Sequence, residues 1–476
     1  MQNQQNEDHT NGISKQKNTI TGVLIWTVLA VAVGSGFQHG YNTGVLNAPQ
    51  KVMETWINQT TPMTENELTI VWSTATSIMC IGGIIGGALT GVLSTKLGRR
   101  LALIINNGIA IVAGLTMGSS KYVGQPWMII LGRFIIGINA GLNTGIGPMY
   151  LSEISPTRLR GSITAVYSLS MTIFILLSQI VGTDMVLGTE QLWPYILYLV
   201  LIPAVYQILA LIWSPESPKY LLEINNDKKA IKASTKLNGR EEGMKNIEQI
   251  REELEAAKAQ PSVVLKDMWV FKKYRKPLII MCVLMAAQQL SGVNAIIYYS
   301  TQIFKTANLS EELAQWATIG VGVVNVLTSV VAVFLVDVLG RKPLLIIGYG
   351  GITIDLTLFL ICLYFVEKSM ILAYGAISLV YLFMILFAIG PGPIPWLMGS
   401  ELFETSSRPL GLSIAVPINW VSNFFVGQVF LPLQEDMGPS VFIIFIVCTA
   451  LATLFIIMNV PETKNRSINE IAASFK

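Results

Sequence analysis

Of the chain's 476 residues, 52% are hydrophobic and only 13% are charged, with a mean hydropathy of +0.55; soluble proteins carry about twice that charge fraction. Long apolar windows separated by short polar ones exclude a soluble globule and indicate a polytopic helical membrane protein. The net charge of +3 offers no nucleic-acid surface, and no nucleotide loop, nucleophile motif or metal cluster signals an enzyme.

Residues 1–18 are polar and lack the apolar core and cleavage site of a signal peptide, so the first span is expected to be retained. Twelve spans are predicted, at 20–43, 70–93, 101–119, 126–149, 162–184, 193–213, 277–304, 313–338, 343–365, 372–399, 409–432 and 438–459. Cytoplasmic loops collect Lys and Arg. With both termini cytoplasmic, only Lys51, Lys121, Lys305 and Lys368 of 32 basic residues fall outside. Cys80, Cys282, Cys362 and Cys448 all lie in spans, where thiols behave as small hydrophobes; no disulfide is expected, and His9 and His39 are too few for a metal cluster.

The first span ends in a stretch from Gly34 to Gly44 whose glycines and carboxamides suit local unwinding around a cavity better than lipid contact. Asn58-Gln59-Thr60, in the outer loop that follows, is a glycosylation sequon. Leu97-Gly98-Arg99-Arg100 recurs as Leu339-Gly340-Arg341-Lys342, 242 positions on. The segment from Ser152 recurs at Ser400, 248 on, and Pro215-Glu216 recurs as Pro461-Glu462, 246 on. Three echoes at one spacing predict two homologous six-helix halves with a site at their interface. The chain divides into a tail (1–19), a first half (20–213), a linker of short amphipathic helices (214–276), a second half (277–459) and a tail (460–476).

The repeated motifs place opposite charges at helix ends: Arg99, Arg100, Arg133, Glu153, Arg158, Arg160 and Glu216, then Asp337, Arg341, Lys342, Glu401, Arg408 and Glu462. Basic residues alone would be anchors, but the glutamates beside them predict ion pairs that close the cytoplasmic ends and break when the cavity opens inward.

Gln288-Gln289-Leu290-Ser291-Gly292-Val293-Asn294 puts three carboxamides and a hydroxyl inside an apolar span, where an unpartnered amide costs about 1–3 kcal/mol. At 100° per residue Gln288, Ser291, Asn294 and Tyr298 fall near one stripe of a helix, a set of uncharged donors and acceptors suited to a polyhydroxy ligand. Asn325 adds a carboxamide in span eight. Gly390-Pro391-Gly392-Pro393-Ile394-Pro395-Trp396 precludes a regular helix in span ten and reads as a hinge. Span eleven carries Asn419, Trp420 and Asn423, and carboxamides with an aromatic face are the usual means of holding a sugar.

Several strings resemble the sugar-porter branch of the major facilitator superfamily, and most closely the animal class I facilitative glucose transporters. They are GYNTGVLNAPQ from Gly40, GRFIIG from Gly132, PESPK from Pro215, QQLSGVNAIIYYST from Gln288, GPGPIPW from Gly390 and PETKNR from Pro461. The resemblance implies the major facilitator fold, an all-α membrane protein of twelve helices in two pseudo-symmetric halves. It implies hexose contacts at Gln288, Gln289, Asn294, Asn325, Trp396 and Asn423, with Asn419 and Trp420 beside them. The Gln289-Leu290-Ser291 triplet implies aldohexoses, and Asn42, where proton-coupled relatives carry Asp, implies uniport. Ser168 stands where the family commonly has a sugar-binding Gln, and Gln179 on the same span is counted with the site. Ala388 replaces a family Glu. Asp355 is expected to be paired locally or neutral, and His39 to be packing. The expectation is a plasma-membrane uniporter for D-glucose and related aldohexoses, partnered by sugar and bilayer, needing no cofactor, metal, nucleotide or nucleic acid. A proton–sugar symporter, or a non-transporting sugar sensor, is the alternative.

Overall fold

The computed structural model describes residues 20–259, 263–404, 406–466, 470, 471 and 475. The expected amino-terminal tail and much of the carboxy-terminal one lie outside the described residues. The first half comprises α1 (Gly22–Gly44), a short α2 (Gln50–Thr60), α3 (Glu65–Leu97), α4 (Arg99–Val123), α5 (Trp127–Ile154), α6 (Arg160–Val181) and α7 (Trp193–Ile212). The linker forms α8 (Pro218–Glu223), α9 (Asp227–Asn238), α10 (Arg240–Ala259) and α11 (Leu265–Val270). The second half runs through α12 (Lys272–Leu290), α13 (Val293–Thr306), α14 (Glu311–Leu339), α15 (Arg341–Phe365), α16 (Met370–Ile389), α17 (Ile394–Glu401), α18 (Arg408–Met437) and α19 (Phe442–Asn459). Among the described residues, eleven helical runs are long and apolar enough to cross a membrane; the 52-residue run Arg408–Asn459 contains two helices, α18 and α19, giving twelve crossings. Ile202, Leu327, Phe334 and Leu451 are each more than 60% exposed, a pattern that only a lipid surround makes favourable.

Helix ends follow local chemistry. Thr64 and Glu67 form a capping box that starts α3, and the Ser310 hydroxyl accepts from Leu313 N–H at 3.3 Å to start α14. The glycine-rich part of α1 does not unwind; it widens into a π-helical segment, Ala32–Gly36, braced by a Gln207-to-Ser35 hydrogen bond of 2.8 Å. The linker is expected to be amphipathic, and it is: Leu221, Leu222, Ala230, Ile247 and Ile250 bury against one another in a small core of their own.

The single helical stripe through Gln288, Ser291, Asn294 and Tyr298 is corrected by the structure. Gly292 adopts φ 90°, a left-handed conformation, so α12 stops at Leu290 and α13 starts at Val293. A methyl at Gly292 would lie 2.9 Å from the Phe445 ring. Ser291 is fully buried and its hydroxyl bonds the Gln288 carbonyl at 2.7 Å, so it braces the turn instead of presenting a polar atom.

The two halves meet mainly through α3 against α18 and α6 against α14. Toward the end of the bundle opposite the linker, hydrogen bonds cross the seam. Asn47 donates to Ile297 O and Ser300 Oγ, both at 2.7 Å, and its Oδ1 accepts from Thr301 N–H at 3.3 Å. Ser77 donates to Gln428 at 2.8 Å, Thr69 bonds Glu435, and Lys51 pairs with Glu311 at 2.8 Å. A cavity of about 350 Å³ opens beside this seam, lined in part by Lys51, Glu54, Lys305 and Glu311.

Candidate functional site

At the linker end each half carries the same charged clasp. In the first, the Arg99 and Arg100 N–H groups donate to Glu216 at 3.0 Å, Arg99 pairs with Glu153 at 2.8 Å, and its Nη1 donates to Ser94 O at 3.3 Å. In the second, the Arg341 and Lys342 N–H groups donate to Glu462 at 3.1 and 3.0 Å, Arg341 pairs with Glu401 at 2.9 Å, and its Nη1 donates to Val336 O at 3.1 Å. The Ser217 hydroxyl bonds Glu153 as the Thr463 hydroxyl bonds Glu401. Gly98 (φ 84°) and Gly340 (φ 90°) make both turns; a methyl on either would come within 2.8 Å of the clasp glutamate. Burial raises the Glu216 carboxyl above the usual range, against the pull of the Ser217, Arg100 and Arg99 N–H groups. Burial also pushes Glu462 up, but the N–H groups of Lys464, Arg341, Lys342 and Thr463 outweigh it and hold that carboxyl low.

These bonds revise the expected gate, because each joins groups of one half and none of them spans the seam. Arg160 reaches Glu253 of the linker at 3.7 Å, Asp337 is exposed and pairs with Arg341 at 3.6 Å, and Arg408 sits at the start of α18 with its N–H on Glu404 O at 3.0 Å. Arg133 was grouped with the cytoplasmic charges, and this is corrected. It lies twenty residues before Glu153 on α5, about 30 Å along the helix at 1.5 Å per residue. There it is wholly buried and donates to three carbonyls, Asn42 O at 2.6 Å, Ala75 O at 3.2 Å and Thr76 O at 3.3 Å.

The expected sugar site assembles around the breaks in α12–α13 and α16–α17. Gln288 Nε2 donates to Pro391 O at 2.9 Å and Gly392 O at 2.7 Å, satisfying carbonyls that the proline-rich break frees. Gln288 Oε1 accepts from Asn419 Nδ2 at 2.8 Å; Asn419 Oδ1 accepts from Gln289 Nε2 at 2.9 Å; and Gln289 Oε1 accepts from Asn294. Tyr298 donates to Asn423 Oδ1 at 3.1 Å. Four of the predicted residues, Gln288, Gln289, Asn294 and Asn419, thus form a largely buried, uncharged network, and Asn423 forms a separate pair with Tyr298, partnered as burial requires.

Trp396 follows the break and is 41% exposed. Trp420 packs on the first half, where a methyl at Gly83 would lie 2.7 Å from its ring. Asn325 is buried on α14, outside the network. On the first-half side Ser168 is exposed, while Gln179 is buried beside Gly322 of α14 with neither amide atom partnered among the described residues. Ala388 is buried at the end of α16. Asp355 is buried with neither carboxyl oxygen hydrogen-bonded among the described residues, so of the two expectations, a local pair or a neutral carboxyl, the local pair is not found. Asn58 is exposed on α2, its Oδ1 accepting from Met63 N–H at 3.0 Å. Asn47, the main polar tie across the seam, was not singled out from sequence; its one signal is a carboxamide two residues before Pro49 at the end of an apolar span.

The family profile described as "Sugar (and other) transporter" matches residues 27–475. Facilitated glucose transporter member 4 of solute carrier family 2 from Homo sapiens is 38% identical over 467 residues, covering 96% of this chain and 91% of that one. Member 3 from Ovis aries is 40% identical over 465 residues, covering 96% and 93%. Among solved structures, a partially occluded inward-open conformation of the xylose transporter XylE from E. coli superposes with a TM-score of 0.80 at 26% identity, over 94% of this chain and 100% of that one. XylE bound to 6-bromo-6-deoxy-D-glucose gives 0.75 at 26% identity, over 95% and 99%. With twelve crossings, paired halves and a profile match across nearly its whole length, the chain belongs to the sugar transporter family and has the major facilitator fold.

Proposed function

We propose that this chain is a facilitative uniporter for D-glucose and related aldohexoses, set in the plasma membrane with both termini and the linker in the cytoplasm. The observation that carries the reading is the neutral network of Gln288, Gln289, Asn294 and Asn419, with the Tyr298–Asn423 pair beside it, a donor–acceptor surface matched to sugar hydroxyls. Asn325 and Trp396 complete the sugar contacts and Trp420 backs them, while Ser168 and Gln179 face the sugar from the first half. The relatives named above are facilitated glucose transporters, and the neighbour solved with a glucose derivative supports a hexose ligand. The halves rock about this site. The clasps of Arg99, Arg100, Glu153 and Glu216, and of Arg341, Glu401 and Glu462, with Arg160, Asp337 and Arg408 at their edges, keep each half rigid, and the Asn47 seam closes the outer side. Arg133 ties α1, α3 and α5 near that seam, and Asn58 carries a glycan outside.

Uniport is supported by the lack of a titratable group at position 42, where the Asn42 amide donates to Gln38 O at 2.7 Å. Radiolabelled glucose uptake into proteoliposomes, with and without an imposed pH gradient, tests the claim; equilibration without proton-driven accumulation is expected. The second reading, proton symport, is favoured by the likeness to XylE, a proton:xylose symporter, and by Asp355, which has no hydrogen-bond partner among the described residues. It predicts uphill accumulation that Asp355→Asn abolishes.

A further inference from the structure

The first half of the site lacks the long carboxamide expected at position 168, yet the wall there is not apolar. His39 on α1 is half-buried in the centre of the bundle, one turn before Thr43, whose hydroxyl bonds its carbonyl at 2.8 Å. Its Nδ1 lies 3.3 Å from the Tyr167 hydroxyl on α6. Tyr167 is buried and fixed by packing: a methyl at Gly147 of α5 would come within 3.0 Å of its ring. The imidazole also faces the second half, its centroid 6.1 Å from Trp420 at an interplanar angle of 32°. Trp420 is the neighbour in sequence of Asn419, which holds Gln288 and Gln289. Ser168, adjacent to Tyr167, is exposed beside it. An imidazole held through one nitrogen by a fixed hydroxyl has its other nitrogen oriented and available as a single donor or acceptor.

We propose that His39 is the first half's specificity-determining contact to the sugar: Tyr167 fixes the ring through Nδ1, and Nε2 hydrogen-bonds one hydroxyl of the hexose from the side opposite Gln288 and Asn294. The proposal rests on the sugar-site reading above. It assigns to α1 a polar contact on the side where Ser168 stands in place of the expected long carboxamide, and it replaces the expectation that His39 is packing. A ring meeting Trp420 across the seam also places this contact where the halves must both be present for the site to be complete.

The test is equilibrium competition by glucose and by each monodeoxyglucose, measured on purified full-length protein in liposomes. In the wild type, deleting the hydroxyl that faces His39 weakens competition by about 3- to 10-fold, the worth of one neutral hydrogen bond. In His39→Phe, which keeps an aromatic ring against Trp420, glucose weakens by that factor and the penalty for that one deoxy sugar disappears, while penalties at the other positions stay. His39→Gln restores part of the penalty, and Tyr167→Phe reduces it without removing it. An unchanged set of deoxy penalties in His39→Phe, or in His39→Gln should the first variant not fold, overturns the proposal even if glucose binding falls, because a packing role weakens all the sugars alike. Failure of the wild type to bind glucose at all would instead bring down the parent reading.

Discussion

The two halves agree at the linker end and part company at the centre. The clasps match at their centre, Arg99 with Arg341, Glu153 with Glu401, Glu216 with Glu462, Ser217 with Thr463 and Gly98 with Gly340, and differ at their edges, where Arg99 adds Glu223 and Arg341 adds Asp337. In the cleft the second half offers a connected set of carboxamides, while the first offers an imidazole, a short hydroxyl and an isolated glutamine. Repetition persists where the task is mechanical, holding helix ends in a rigid unit. It lapses where an asymmetric ligand must be met, since a sugar presents different groups to its two sides.

The largest expected effect tests the chemical side of that contrast. Gln288→Leu strands the Pro391 and Gly392 carbonyls and the Asn419 amide together, and each buried orphan costs about 1–3 kcal/mol. Glucose binding should fall by at least tenfold, and Asn294→Ala by less, since it removes one bond to Gln289. Unchanged affinity in both, by competition binding, would move the site elsewhere.

Next come the turns of the two clasps. Gly98→Ala and Gly340→Ala each meet a left-handed penalty of about 1–2 kcal/mol plus a contact with the clasp carboxylate, so both should lower the melting temperature by a similar amount. A large effect from one and none from the other would break the equivalence of the halves. Glu462→Gln and Glu216→Gln should differ by less. Glu462 is held low, so its stabilising charge is present above the ordinary carboxylate range and is lost only as pH falls below it. Glu216 is raised, so its charged form is disfavoured, and stability linked to it is fullest in acid and declines as pH rises. At neutral pH Glu462→Gln should therefore melt about 2 °C lower than Glu216→Gln, and the gap should persist at mildly acid pH.

The smallest effect concerns the outer seam. Burial, with Glu435 nearby, raises the Glu54 carboxyl to about 7, against a Gln50 hydrogen bond of 2.8 Å and the charge of Lys305. A solvated carboxyl titrates near 4.3, as a reference value of about that size applies when the seam opens. The sealed state is then favoured in acid and loses that advantage as external pH rises through about 7. Labelling of a cysteine placed at the seam should rise between acid and alkaline pH, and Glu54→Gln should flatten the response.

Much of the architecture was legible because a lipid surround forces long apolar runs: Arg99–Val123 and Trp193–Ile212 lie within a few residues of the expected 101–119 and 193–213. Composition alone left three things unread. The stripe through Gln288 and Tyr298 assumed a continuous helix, whereas Gly292 lies against Phe445, a contact between distant segments. Arg133 was grouped by charge, although its position near the start of span four already placed it far from Glu153. The meeting of His39, Tyr167 and Trp420 joins three separate helices and has no local pattern to announce it.

The Gln288 amide bridging Pro391 and Gly392 has a kinetic consequence. Its donors already serve the carbonyls of the broken helix, and its acceptor already serves Asn419, so an arriving hydroxyl must exchange bonds with the protein instead of adding to them. Such a swap leaves little net free energy in the bound state, which favours modest affinity and rapid release. On the proposed reading, the ligand loosens the staple between α12 and the α16–α17 break as it binds, and occupancy would itself unlock the joint that has to bend.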